Sequence, residues 1–275
     1  VQSLMKDEGR PVSIQKLCGW FNVPRSTFYY RSRRRSVRRV DPELVDRIQA
    51  LIARFPTYGL RRITALLRRE MTVNRKKVHR ILKVNGWQVR KRPKGHRPRV
   101  RGLRSRANRL NERWAIDTTH IFCGRNGWCH LTAIIDCCSR RILGWRFSSS
   151  GVADVAAAAL EEALRTAGIE PRAKQAPMLR SDNGLVFGSK AFSRVVRKYR
   201  LSQEFITPYT PEQNGMIERF FLSMKEECVW LHNFRSKDEA FKIFSEWIDE
   251  YNETRPQSAL GYLSPMEFIE QKLAA

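Results

Sequence analysis

A chain of 275 residues is long enough to bury a core and suggests about two domains. Its formal net charge is +25, and residues 1–113 carry all of it, with 32 Lys and Arg against 7 Asp and Glu. No stretch approaches the ~20 apolar residues of a membrane-spanning helix, the N-terminus lacks a signal-peptide core, and the six Cys show no disulfide framework. We therefore expect a polyanionic partner, with nucleic acid before an anionic membrane surface, and a reduced, cytoplasmic location.

Residues 1–40 predict part of a helix-turn-helix followed by a basic run. Ser13 is a suitable N-cap for a helix over 13–18, Asn22-Val23-Pro24 interrupts it, and residues 25–30 continue as a second helix. A small helical hairpin on an unrelated core is the alternative. Six arginines between Arg31 and Arg39 indicate either a solvated linker or phosphate contacts, and both remain open.

Residues 41–87 predict three helices of a small DNA-binding domain. The helices begin after Asp41, run over 60–69, and run over 75–84 behind an Asn74 cap, each with apolar residues at helical spacing. A three-helix unit with a basic last helix is typical of DNA-reading modules. The alternative is that the cations only keep a surface soluble. The candidate DNA-binding residues here are Arg61, Arg62, Arg75, Lys76, Lys77 and Arg80.

Residues 88–112 hold many arginines and lysines with few aliphatic side chains, which predicts a basic linker. The pattern of hydrophobic and polar residues changes over 113–275. It predicts three strands in a meander, followed by a helix, a strand, a helix, a strand and a last helix over about 213–231. This order predicts an α/β fold with a mixed sheet and helices on its faces.

Three carboxylates in this second half suit metal-dependent phosphoryl transfer, which needs hard oxygen ligands for Mg²⁺. Asp117 lies in an otherwise apolar strand, where an unpaired carboxylate is costly unless it binds a metal. Asp182 directly follows the fourth strand, at the place where α/β sheets bind ligands. Glu218 lies beside the apolar stripe of the long helix, and Lys225 stands ~10 Å along the same face, placed to meet a DNA phosphate.

Each of these residues also has a plainer interpretation. Asp182-Asn183-Gly184 alone is a common turn, and Glu218-Arg219 alone is an ordinary helix pair. Asp136, also at a strand end, is a structural acid or an auxiliary ligand. A zinc site is disfavoured because the Cys and His residues near 120–130 lack paired ligand spacing, and no Gly-rich NTPase loop indicates ATP use.

The spacing of Asp182, Glu218 and Lys225 along the chain resembles that of a known protein family. Thirty-five residues separate Asp182 from Glu218, and Lys225 follows seven later, which resembles the DDE superfamily of transposases and retroviral integrases. Further motifs resemble the second-frame transposase of the insertion-sequence family numbered three. They are Tyr58-Gly59-x-Arg61-Arg62-Ile63, Trp114-x-x-Asp117-x-Thr119, Ile135-Asp136-x-x-Ser139-Arg140, Gln213-Asn214-Gly215-Met216-Ile217-Glu218-Arg219 and Tyr251-Asn252-x-x-Arg255-Pro256-x-x-Ala259-Leu260-Gly261-Tyr262-x-Ser264-Pro265.

The resemblance implies an RNase H-like catalytic core in which Asp117, Asp182 and Glu218 bind two Mg²⁺ or Mn²⁺ ions. It also implies cleavage at the 3′ ends of the element's terminal inverted repeats and joining to target DNA, by a homo-oligomer assembled on DNA. Two departures, Gln257 in place of a usual His and the Cys137-Cys138 pair, lie outside the triad. Because Val1 falls inside the first helix-turn-helix, an upstream-frame product is an expected partner or fusion.

Two other functions remain open at this stage. The chain is alternatively a DNA-binding regulator of the same element that lacks catalysis, or a nuclease on the same fold. An intact triad argues against pure binding, and only a transposase joins a free 3′-OH to a target.

Overall fold

A computed structural model describes residue 9 and residues 12–31, 40–89, 107–207 and 211–274. The basic residues predicted at 32–39 and most of the predicted linker lie outside the described residues. The chain divides into two compact units, Val1–Pro42 and Glu43–Ala275. The boundaries predicted within the second unit, near residues 87 and 112, stay predictions.

The first unit contains the two predicted short helices. Helix α1 covers Ile14–Trp20 and helix α2 covers Arg25–Phe28. The hydroxyl of Ser13 caps α1 by accepting from the Lys16 N–H at 3.3 Å, and Asn22 takes a positive φ of 49° in the turn. The two short helices and the turn between them are present, with α2 shorter than expected, and their assignment to a helix-turn-helix stays a prediction.

The second unit begins with three helices at the predicted positions. They are α3 (Pro42–Arg54), α4 (Leu60–Glu70) and α5 (Arg75–Val84). Each helix contributes a fully buried isoleucine, namely Ile48, Ile63 and Ile81. The Asn74 side chain caps α5 by accepting from the Lys76 N–H at 2.8 Å, as the sequence indicates.

A five-stranded mixed sheet follows, as predicted. Its strands are β1 (Arg113–Phe122), β2 (Trp128–Asp136), β3 (Ile142–Ser148), β4 (Met178–Ser181) and β5 (Ser202–Phe205), in the order β3-β2-β1-β4-β5. The first three strands are antiparallel, whereas β4 and β5 run parallel to β1. Strand β1 is therefore central and has one antiparallel and one parallel neighbour.

Helices cover both faces of the sheet because its strands carry apolar side chains on both sides. Helices α6 (Ala153–Thr166) and α7 (Lys190–Lys198) pack on the face that holds Trp114 and Ile116. Helices α8 (Gly215–Glu227) and α9 (Lys237–Glu253) pack on the face that holds Ala115 and Leu131. The last helix, α10 (Pro265–Leu273), begins with a capping box. None of the described helices combines the length and apolar character needed to cross a membrane.

The long helix predicted over 213–231 is wrong in its extent. The structure has a 3₁₀ turn at Pro211–Asn214, then α8, then a second 3₁₀ turn at Val229–Leu231. Cys228 ends α8 with φ −130° and ψ −66°, outside the helical region. Its side chain still continues the buried stripe, so the apolar pattern extends past the end of the helix.

Candidate active site

The sheet register places the first two predicted carboxylates beside each other. In the parallel ladder Ala115 faces Arg180, so Asp117 and Asp182, each two residues further on, continue the same register. Adjacent strands are separated by about 4.8 Å, which brings these two residues to neighbouring positions. β4 ends at Ser181, and Asp182 is the first residue of the loop that follows.

The loop after β4 holds the Asp182 carboxylate in a tight turn. The Gly184 N–H donates to Asp182 Oδ1 at 3.0 Å, and the Asn183 side chain donates to the Ile206 carbonyl at 2.9 Å. A Cβ on Gly184 would lie 2.9 Å from Asp182 Oδ1. The glycine is therefore required here by the close approach of the carboxylate to the backbone.

Two buried polar side chains set the start of α8 over the middle of β1. Arg180 donates to the Gln213 carbonyl at 2.7 Å and to Glu204 on β5 at 3.0 Å. Asn214 donates through its amide nitrogen to the Ile116 carbonyl at 3.3 Å. Glu218 lies one turn after Asn214, so these bonds fix the position of the helix turn that carries it. The sequence pattern gave no role to Arg180, and only a long-range contact reveals it.

The charges around Asp117 indicate that the other two predicted carboxylates lie within electrostatic range of it. Burial raises the pKa of the Asp117 carboxyl to about 7, and the charges of Asp182 and Glu218 act in the same direction. Lys225 and the hydrogen bond from the Thr118 N–H, 2.7 Å long, act to lower that pKa. Asp182, Glu218 and Lys225 are thus near enough to Asp117 to act on its charge, and their roles as metal or DNA ligands stay predictions.

The donor set fits a hard divalent cation in its chemistry. Three carboxylates supply the oxygen ligands that Mg²⁺ prefers, and a cation would offset the burial and the neighbouring negative charges that raise the pKa of Asp117. The amide oxygen of Asn214 is also buried and has no hydrogen-bond partner among the described residues. Within that part of the chain, however, no three Asp, Glu, His or Cys side chains are close enough to hold one ion as placed.

Asp136, the fourth acid that the sequence raised, lies in a different setting. Its carboxylate accepts from the Ser139 N–H and hydroxyl at 2.8 and 2.6 Å and from the Asn111 N–H at 3.3 Å. These bonds tie the turn between β2 and β3 to the segment before β1. The contacts favour the structural interpretation of Asp136.

The structure separates the predicted DNA-binding residues into different surroundings. Arg61, Arg75, Lys76 and Lys77 are exposed, and Arg80 is half-buried. Arg62 instead forms an ion pair with Glu227 at 2.7 Å. Its part in DNA binding stays a prediction, but the guanidinium is already engaged within the protein.

Comparisons with known proteins agree with this geometry. Residues 39–95 match the family described as HTH-like domain, and residues 107–211 and 199–265 match families described as integrase core domain. Transposase InsD for insertion element IS2 of Escherichia coli is 31% identical, over 87% of this chain and 82% of the relative. Transposase InsD for insertion element IS2-9 of Escherichia coli K12 is also 31% identical, covering 87% and 80%.

The chain belongs to this family of insertion-element transposases. Its fold is the RNase H-like fold of integrase cores, preceded by a helix-turn-helix-like domain. The simian T-cell lymphotropic virus intasome is 18% identical, with a TM-score of 0.49 over 76% of this transposase and 70% of that chain. The catalytic core domain of BIV integrase is 17% identical, with a TM-score of 0.44 over 60% and 97%.

Proposed function

We propose that this transposase cleaves the 3′ ends of an insertion element and joins them to target DNA, with Asp117, Asp182 and Glu218 binding the divalent ions. The observation that supports the proposal is that Asp182, Glu218 and Lys225 lie near enough to Asp117, in the middle of β1, to act on its charge. Enzymes with an integrase core use divalent metals, and a pair of Mg²⁺ or Mn²⁺ ions would activate the attacking oxygen and stabilise the leaving one.

The protein's own residues prepare the site for this reaction. Asp182 is held by the Gly184 N–H, and Glu218 is aimed by the bonds of Arg180 and Asn214 to neighbouring elements. Lys225, two turns after Glu218, supplies a positive charge that acts on Asp117 and is available to a DNA phosphate near the cleaved bond. This pre-set geometry reduces the reorganisation needed when DNA binds.

We further assign the chain to the insertion-sequence family numbered three, on the motifs that span both halves. The helical segment 41–87 is proposed to bind the terminal inverted repeats, and residues 88–112 to link it to the core. Joining two ends of an element to one target requires more than one catalytic centre, so we propose a homo-oligomer on DNA.

Strand joining with the purified chain tests this function. Labelled DNA that carries the ends of the surrounding element is incubated with Mg²⁺ and the wild type, Asp182→Ala or Asp249→Ala. Asp249 is an exposed acid on α9 and serves as the matched control. We expect joined product with the wild type and the control, and a loss of at least about 10³-fold with Asp182→Ala.

Other outcomes would overturn the proposal in distinguishable ways. Metal-dependent nicking without joining would assign the chain as a nuclease. DNA binding without cleavage would assign it as a regulator of the element. Joining that survives Asp182→Ala would retain the activity but remove Asp182 from the site.

A further inference from the structure

The motif over Tyr251–Pro265, which the catalytic proposal does not use, forms one wall of an arginine-lined cavity. The cavity has a volume of about 250 Å³ and lies between α4, the turn after β2, α8 and the segment that follows α9. Of the described residues that line it, none is acidic and five are arginines. These are Arg61, Arg62, Arg140, Arg219 and Arg255.

Only part of this positive charge is balanced within the protein. Glu227, behind the cavity wall, accepts from Arg255 at 2.6 and 2.7 Å and from Arg62 at 2.7 Å. Among the described residues, the other three arginines of the cavity form no ion pair. Five guanidinium groups facing one carboxylate leave an excess of positive charge, which attracts an anion into the cavity.

Neutral donors in the cavity wall add to this preference. The amide nitrogen of Gln257 is buried, lies beside the Tyr251 hydroxyl and forms no hydrogen bond of good geometry. Ser223 and Ser258 contribute hydroxyl groups to the same lining. A phosphate group, with several acceptor oxygens, satisfies both the charge and the donors.

An adjoining cavity indicates a polyanion rather than a single small anion. It has a volume of about 280 Å³ and shares Arg61 and Tyr262 with the first. Arg68, Arg69 and Arg75 line it, and its one acid, Glu267, already pairs with Arg69. Two adjoining cavities that are both lined by arginines and share Arg61 suit a chain of phosphates, as in a nucleic-acid strand, better than one small anion.

We propose that the arginine-lined cavity binds a backbone phosphate of DNA, and that the strand continues along the adjoining cavity past Arg61. The inference rests on the proposed function, because it takes DNA as the substrate. It also assigns a role to the Tyr251–Pro265 motif, whose Arg255 and Gln257 build the wall. Arg219 directly follows Glu218 on α8, so the cavity lies against the helix that carries this carboxylate.

DNA binding by the full chain, measured in EDTA so that no cleavage occurs, tests this site. The variant is Arg140→Gln, and its matched control is Arg200→Gln. Both arginines have a left-handed backbone, with φ of 61° and 53°, and Arg200 is exposed and lines neither cavity. The probe is a labelled duplex of random sequence, titrated by fluorescence anisotropy at several salt concentrations.

We expect Arg140→Gln to weaken binding by about tenfold, and the slope of log affinity against log salt to fall by about 0.9, the value for one phosphate contact. The control should change affinity by less than about twofold. Arg61→Gln, an exposed change on α4 that touches both cavities, is a second variant with at least the same loss. Melting curves identify any variant that fails to fold.

Affinities of both cavity variants equal to that of the control would overturn the proposal. So would binding of inorganic phosphate that Arg140→Gln abolishes while DNA affinity is unchanged, because the ligand would then be a free phosphate. Since binding is measured without metal, Asp182→Ala should bind DNA like the wild type. Failure of strand joining and failure of this site are thus separate results.

Discussion

At the scale of single residues, the buried carboxylate of Asp117 lowers the stability of the folded protein when no metal is bound. Its carboxylate lies in the central strand β1, where burial and two neighbouring acids disfavour the charged form. A residue that weakens the folded protein without its metal is typical of a functional site, since stability and function place different demands on it. The resulting loss in the free energy of unfolding depends on pH.

Replacing Asp117 by Asn should stabilise the metal-free protein above neutral pH. The pKa of Asp117 rises from 3.8 to about 7 on folding, so the unfolded chain ionises first. The free energy of unfolding of the wild type therefore falls as pH rises from about 4 to 7, by up to about 4 kcal/mol, and stays low above that range. Asp117→Asn removes this loss, so its advantage should be large at pH 8 and small near pH 4.

Denaturant unfolding in EDTA at the two pH values measures this difference. Asp249→Asn, at an exposed position, should show no comparable dependence on pH. An advantage of Asp117→Asn that is equal at both pH values would contradict the electrostatic explanation. It would show instead that the amide simply packs better than the carboxylate.

At the scale of elements, helix α8 is fixed by a buried ion cluster at its C-terminal end. Glu227 receives two hydrogen bonds from Arg255, which is 3% exposed, and one from Arg62 of α4. Although burial acts to raise it, the bonds and charges of Arg255 and Arg62 hold the pKa of Glu227 below its usual range. The cluster joins α4, α8 and the segment after α9, and α8 carries Glu218 at its other end.

Glu227→Gln should destabilise the protein by about 3–5 kcal/mol, because the buried charge of Arg255 loses its partner. Glu226→Gln, one residue earlier and partly exposed, is the matched control and should cost less than about 1 kcal/mol. Denaturant unfolding at pH 7 compares the two. Equal stability of both variants would show that solvent or another group compensates Arg255, and the cluster would then not fix α8.

Local patterns in the sequence predict most elements and the triad, but not the contacts between distant elements. Helix α5 occupies its predicted residues and the predicted three-strand meander is present, since strand alternation and helix caps are local signals. Asp182 was found because it follows a strand end. The end of α8 was missed because Cys228 keeps the apolar period after the backbone has left the helix.

The Arg62–Glu227 pair marks the limit of prediction from a single sequence. Arg62 is part of a basic, surface-like pattern, which predicts contact with DNA. Its actual partner lies 165 residues away in the chain, and no local periodicity encodes that pairing. The same applies to Arg180 and Asn214, whose bonds to the Gln213 and Ile116 carbonyls depend on the assembled sheet.

At the scale of the whole molecule, charge is divided between two halves. Residues 1–113 carry the entire excess of +25, whereas the catalytic half is neutral. Because the catalytic half is neutral, it adds no net repulsion to that among the basic residues of the first half. Its acids supply the proposed triad and pair with arginines. Affinity for DNA should then come mainly from phosphate contacts of the first half and of the arginine-lined cavity.

Binding of duplex DNA by the full chain should therefore depend steeply on salt. If the basic residues make about six to ten phosphate contacts, affinity should fall by roughly 10³-fold or more between 50 and 200 mM salt, because binding releases that many counterions. Anisotropy titrations in EDTA measure how the affinity for DNA depends on salt concentration. Asp182→Ala should show the same dependence, since Asp182 is proposed to act in cleavage and joining rather than in DNA binding. A fall of less than about tenfold would mean few phosphate contacts, and the charge of the first half would then serve solubility rather than DNA binding.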